Sequence, residues 1–302
     1  MRRFPGYGEY IMPAEKRPRR FFWTAAAFLR GEDLMDRIMI SGVSSGCGKT
    51  TVVCAVLQAL VNRGLKTGAF KCGPDYIDPM FHSRIIGAKS ANLDLHFFSE
   101  NTLRFLLAKN AAGCDVSVIE GAMGFYDGAG LTTWKTSAYE LALVTKTPVV
   151  LVVNARGAAL SVLAVIEGFL RFRPESGIRG VILNQCTAMT YASLSAAIEE
   201  RFGIRCFGFL PRLDECVLES RHLGLVTADE VEDLREKLRQ LAEAAEKTLE
   251  LDALLEIAHN APVLDFTPPV LPEKGTPVRI GVARDRAFCF YYEDSLDLLR
   301  QL

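Results

Sequence analysis

"SGVSSGCGKT", residues 41–50, decides the fold. The apolar run "RIMISGV" (37–43) that leads into it reads as a strand, and residues 49–62 behind it read as a helix. Between them lies a glycine-rich turn ending in Gly-Lys-Thr. Backbone N–H groups in such a turn, with the helix N-terminus behind them, wrap the phosphates of a nucleotide. On this reading Ser45, Gly46, Cys47, Gly48, Lys49, Thr50 and Thr51 form the phosphate cradle for ATP. Lys49 reaches the β- and γ-phosphates and the Thr50 hydroxyl holds Mg2+. The strict pattern GxxxxGK[ST] asks for glycine at 43, but Val43 stands there and Gly42 is one residue early. A chance Gly-Lys-Thr seldom falls in the order strand, loop, helix.

Working outward, short apolar runs alternate with helical stretches. Strands are predicted over 37–43, 66–72, 115–121, 148–154, 180–185 and 205–211, and helices over 49–62, 137–145, 160–170 and 191–202. Continuous apolar strands are buried on both faces. Alternation with helices makes this an α/β fold, a mostly parallel, doubly wound sheet. Residues 227–251 read as one long charged helix with a solvated face, and 261–277, with five prolines, as a linker. A further strand over 278–283 and a helix from about Glu293 read as the first β-α unit of a second α/β domain.

Composition narrows the partners. The chain has 302 residues, 49% apolar and 24% charged, with a formal net charge of −1. Nothing in that balance points to nucleic acid or a membrane surface. Eight cysteines without a CxxC pair, and four histidines without metal-ligand spacing, read as reduced thiols of a cytoplasmic protein. Residues 1–34 differ, with seven basic and four acidic residues. "FFWTAAAFL" after "RPRR" faintly resembles a leader but is too short to span a bilayer. An over-long start or a disordered leader is the preferred reading, and targeting the competing one.

Two acidic residues follow the 115–121 strand. Glu120 at its tip is placed to hold Mg2+ directly or through water, or else to cap a helix. Asp127 in "EGAMGFYDG" (120–128) either lies in a loop over the site or is a turn aspartate before glycine. P-loop ATPases that dimerise across their nucleotides carry a lysine five residues before the invariant one. Ser44 holds that position here, which argues against a regulatory ATPase acting through partner binding.

With "SGVSSGCGKT", "KCGPDYIDPMFH" (71–82), "EGAMGFYDG", "GFLPR" (208–212), "RHLGL" (221–225) and "RIGVARDRAFCFYYED" (279–294), the chain resembles the cobyrinic acid a,c-diamide synthase family over roughly residues 37–302. The resemblance implies a dethiobiotin-synthetase-like P-loop domain joined to a class I glutamine amidotransferase domain. It implies ATP- and glutamine-dependent amidation of two carboxylates of a corrinoid in cobalamin biosynthesis. A relative acting on nickel-sirohydrochlorin is the alternative. The cobyric acid synthase branch differs, with a "KPQNM"-like segment where this chain has "KCGPDYID".

The resemblance also implies roles. Lys71 faces the γ-phosphate and the incoming carboxylate, Asp75 coordinates Mg2+, and Asp78, with Asp127, contributes around the reacting group. Tyr76 and His82 either touch the corrinoid or are a packed turn aromatic and a surface histidine. Asn184 is the candidate adenine reader, and Arg156, Arg221 and His222 are candidates for the substrate's carboxylates. Asn154 stands where relatives often have aspartate. Cys289, in a segment without a glycine-framed elbow and with no histidine after it, is rejected as a glutaminase nucleophile. The glutamine-hydrolysing half is therefore expected to be missing from a C-terminally truncated chain. Small-substrate carboxylation of the dethiobiotin type is disfavoured by the amidotransferase-like residues 279–294. The residues leave oligomeric state open, a homodimer included.

Overall fold

The computed structural model describes residues 32–33, 35–173, 175–216, 228–273, 276–285 and 288–302. Nine strands and nine helices of four or more residues follow the P-loop pattern among them. β1 (Glu32–Asp33) precedes β2 (Arg37–Gly42), α1 (Lys49–Asn62), β3 (Thr67–Cys72) and α2 (Ile77–Phe81), which runs on as a π-helical turn, His82–Ile86. Then come β4 (Lys89–Leu93), α3 (Glu100–Ala111), β5 (Val116–Glu120), α4 (Ala138–Val144) and β6 (Val149–Asn154). The remainder is α5 (Ser161–Phe172), β7 (Ile178–Asn184), α6 (Ala188–Phe202), β8 (Arg205–Leu210), α7 (Ala228–Thr248), α8 (Leu251–His259), β9 (Leu264–Asp265) and α9 (Glu293–Gln301).

Seven strands form one parallel sheet in the order β4-β3-β5-β2-β6-β7-β8. β2, β3 and β5 are buried along their whole length, as the apolar runs require. Alternate residues serve opposite layers: Ile38 and Ile40 pack with α1, α7 and α8, and Met39 with the α3–α6 side. Because the sheet is parallel, the ends of β2, β3, β5, β6 and β7 all open on one edge, where ligands of such sheets sit.

Three expectations change. The region 83–114 carries β4 and α3, which the apolar-run reading passed over. β4, "KSANL", is an edge strand with only Leu93 buried, so it lacks the continuous apolar run of an inner strand. α3 had a local signal: Ser99 accepts from Thr102 N at 3.3 Å as an N-cap, with Glu100 in the first turn. The helix expected over 227–251 stops at Thr248, and a second helix that was not expected, α8, begins at Leu251. Glu250 N donates to Phe207 O at 2.9 Å and Leu249 bridges Gly208, which ends α7 and starts α8. Gly208 has φ 111°, and a Cβ there would lie 2.1 Å from Thr248 O, so this junction needs glycine. α7 is also more than a solvated face: Leu238, Leu241, Ala242 and Ala245 form a buried stripe at helical spacing against α1. Third, the strand expected over 278–283 does not form. No described strand pairs with it, and Val278 and Ile280 are exposed.

The proline-rich stretch is anchored where it begins. Leu264 and Phe266 are buried, and β9 pairs antiparallel with β1. Arg37, fully buried at the start of β2, donates to the carbonyls of Met35, Thr145, Lys146 and Pro262 and ties this segment to the sheet. Among the described residues no helix is long and apolar enough to cross a membrane.

Candidate active site

The turn between β2 and α1 takes the shape its glycines allow. Gly46 and Gly48 have φ 74° and 93°. A Cβ on Gly48 would sit 1.8 Å from Asn184 Nδ2, because that amide, buried at the tip of β7, donates to Cys47 O at 3.0 Å. Asn184 therefore braces the loop from beneath. Asn184, the candidate adenine reader, also lines the cleft in front of the loop, with one amide hydrogen bound to the loop carbonyl.

In front of the loop lies an open cleft of about 550 Å3. Gly46, Gly48, Lys49, Thr50 and Thr51 line one side. Arg156, Asn184, Gln185, the segment from Leu210 to Asp214, Cys216 and Leu241 line the other. Gln185 and Cys216 were not predicted. Gln185 directly follows the strand-ending Asn184 and adopts φ 54°, a left-handed backbone uncommon outside glycine. Position at a strand tip was the available signal. Cys47 is buried, and Ser45 is exposed at the turn's crest.

Behind the loop a buried polar cluster joins four elements. Lys71 of β3 and Glu120 of β5 are register partners in adjacent strands. Lys71 Nζ donates to Glu120 Oε1 at 2.9 Å and pairs with Asp78 Oδ2 of α2 at 2.7 Å. Thr50 Oγ1 of α1 donates to the same Glu120 Oε1 at 2.6 Å. His82 Nε2 lies 3.5 Å from Glu120 Oε2. Burial by itself depresses the Lys71 ammonium's pKa, but the facing carboxylates of Glu120 and Asp78 more than reverse this, and the net shift is upward. Lys71 is thus a permanent cation and not a proton acceptor.

The other predicted residues are distributed around this cluster. Asp75 Oδ1 accepts from Ile77 N at 2.8 Å and Asp78 N at 3.2 Å, so it caps α2, while Asp78 is the aspartate against Lys71. Asp127 is exposed and its Oδ2 accepts from Gly124 N at 2.8 Å, holding the loop after β5. Tyr76 stacks on Tyr292 with ring centroids 4.4 Å apart. His82 is fully buried, which removes it from any substrate surface. Asn154 Oδ1 accepts from Arg156 N at 2.9 Å and shapes the turn that presents exposed Arg156. Arg221 and His222 lie outside the described residues.

The cluster suits Mg2+. Thr50 and Glu120 offer a hydroxyl and a carboxylate oxygen, Oε1, side by side. An all-oxygen set with one or two protein ligands, completed by water and phosphate, is what Mg2+ takes in nucleotide sites. No cluster of three His, Cys, Asp or Glu able to cage a metal occurs among the described residues, and a nucleotide-bound Mg2+ needs none.

A glycine turn joining the first inner strand of a parallel sheet to its helix, with lysine and threonine facing a cleft at the strand ends, defines a P-loop nucleotide-binding protein. Residues 38–225 match the family described as CobQ/CobB/MinD/ParA nucleotide binding domain, and the chain belongs to that family. Among similar curated proteins is the cobyrinate a,c-diamide synthase of Listeria monocytogenes serotype 4b, 40% identical over 269 residues, 88% of this chain and 60% of that protein. Those of Archaeoglobus fulgidus and Priestia megaterium are 41% and 38% identical over 266 residues, each covering 87% of this chain and 58% of theirs. The chain spans about three fifths of the length of these relatives. Among solved structures, chloroplast FtsY from Physcomitrella patens overlaps with a TM-score of 0.45 and 14% identity, over 71% of this chain and 69% of its own.

Proposed function

We propose that this chain carries the ATP-dependent step of a cobyrinate a,c-diamide synthase, in which two side-chain carboxylates of a corrinoid become amides. The observation that carries the reading is the buried Lys71 held between Asp78 and Glu120, with Glu120 also accepting from Thr50 of the P-loop.

The chemistry follows from what a carboxylate lacks. It does not react with ammonia at a useful rate. Attack of a substrate carboxylate oxygen on the γ-phosphorus, with ADP leaving, gives an acyl phosphate. Ammonia then adds to the acyl carbon, loses a proton, and phosphate departs. The first step needs charge neutralisation and alignment more than covalent help. Lys49 cancels phosphate charge from the loop. Lys71, permanently charged, draws the two anionic reactants together. Thr50 and Glu120 would hold a Mg2+, which would supply further neutralisation of the phosphates. Asp78 keeps Lys71 aimed when no nucleotide is present. Arg156, at the exposed rim, is suited to a substrate carboxylate.

We assign glutamine as the natural nitrogen source, with free ammonia able to replace it, since acyl-phosphate formation uses only the residues above. Eight cysteines, none in a disulfide and seven of them buried, suit a cytoplasmic setting. The test is mass spectrometry of cobyrinic acid incubated with the chain, ATP and ammonium. Mass changes of one and two amidations support the reading; a chain that binds ATP but amidates nothing contradicts it.

A further inference from the structure

Glu120 is not oriented by Lys71 and Thr50 alone. Both of those meet Oε1, at 2.9 and 2.6 Å. That leaves Oε2 on the far side of the carboxylate, buried and without a hydrogen bond among the described residues. The group it faces is the His82 imidazole, with Nε2 at ion-pair range, 3.5 Å, and both side chains fully enclosed.

His82 reaches that place through a local departure from α-helix. Asp78 and His82 are four residues apart and so lie on one face of the continuous helical segment. Asp78 meets Lys71, and His82 meets Glu120. One short helix thus touches both members of the Lys71–Glu120 pair, each from outside the sheet. At His82 the helix widens into a π turn, which ends at Gly87, where Ala88 N donates to His82 O at 3.0 Å. π turns of this kind are frequent at functional sites. The turn packs on α1, the helix that bears Thr50.

We propose that His82 is a positioning residue. It fixes the Glu120 carboxylate from behind so that Oε1 stays turned toward Thr50 and the Mg2+ they share. This rests on the reading of Glu120 as a Mg2+ residue. Groups that orient a metal-binding carboxylate through its second oxygen commonly change metal affinity by about 10- to 100-fold when removed.

The test compares ATP affinity with Mg2+ and with EDTA, by calorimetry on the whole chain, in wild type, His82→Leu and His82→Gln. In wild type, Mg2+ should tighten ATP binding; if it does not, the Mg2+ reading of Glu120 fails, separately from any effect of His82. Given that tightening, His82→Leu should reduce it about tenfold while leaving the EDTA affinity unchanged. His82→Gln, whose amide nitrogen can stand near the Nε2 position, should restore most of it. If His82→Leu does not fold, His82→Asn against His82→Gln decides instead. Both keep a polar side chain, but only the longer one reaches Glu120, so the Mg2+ effect should be smaller in the asparagine variant. A Mg2+ effect equal to wild type in the leucine variant, equal effects in the two amide variants, or a parallel loss with and without Mg2+ would overturn the proposal.

Discussion

Lys71 and Glu120 stand opposite one another in adjacent parallel strands, and their side chains meet at 2.9 Å in the interior. A buried ammonium between two carboxylates is costly to break from one side. Lys71→Met should therefore leave Asp78 and Glu120 without their cation and lower stability by about 3–5 kcal/mol. Amidation should fall by at least about 10²-fold. Denaturant titration and product assay check the two effects separately; a stable Lys71→Met chain with wild-type turnover would remove Lys71 from the mechanism.

Gly48 and Asn184 predict a linked pair of effects. Gly48→Ala places a Cβ on the Asn184 amide and strains φ 93°, so ATP affinity should drop at least tenfold. Asn184→Ala removes the brace on Cys47 O and should weaken ATP less, by about three- to tenfold. Combining them should relieve the contact but not the backbone strain, giving an affinity no better than that of Asn184→Ala. Full recovery in the double variant would contradict this reading of the loop.

Arg37→Met should cost about 2–4 kcal/mol, because four carbonyls from three separate segments lose a buried donor. ATP affinity of the folded variant should be unchanged, since Arg37 lies at the opposite end of β2 from the P-loop. Thermal melting and calorimetry read these two quantities.

Most of the sheet was legible because its inner strands are continuous apolar runs, and a strand enclosed on both faces needs just that. β4 was not, because an edge strand such as 89–93 is polar where solvent reaches it. The break between α7 and α8 depends on Leu249 meeting Gly208, a contact distant in sequence that no local signal announces. Lys71, Asp78 and Glu120 were named from the sequence, yet strand register brings Lys71 to Glu120 and the short helix α2 brings Asp78 to Lys71. The assignment of His82 to a surface had no sequence signal against it, since a histidine in a proline-framed stretch reads the same exposed or buried.

Burial pushes the Cys72 thiol up to about 11, from an ordinary value of 9.0. Its folded pKa lies above its unfolded one, so the unfolded chain loses the proton first as pH rises. The stability this thiol contributes is then constant below about pH 9 and is lost between about pH 9 and 11, by about 3 kcal/mol in all. Cys72→Ala should flatten that alkaline decline when unfolding is followed at several pH values. Identical slopes in the two proteins would show that another group is responsible.

The aromatic stack of Tyr76 on Tyr292 joins the residues 288–302 to the turn that carries Asp75 and leads into α2 with Asp78. Tyr292→Ala should remove about 1 kcal/mol of contact and raise amide exchange over residues 73–82. Exchange unchanged in that segment would show that the loop is held by Asn92, whose amide donates to Gly73 O and Asp75 O, without help from the stack.

The central claim is that a substrate carboxylate oxygen is transferred to the γ-phosphorus at the Lys71 site. Cobyrinic acid labelled with 18O in its carboxylates, incubated with the chain, ATP and ammonium, tests it directly. One 18O should appear in the released phosphate for each amide formed. Amide formed with unlabelled phosphate would contradict the acyl-phosphate account.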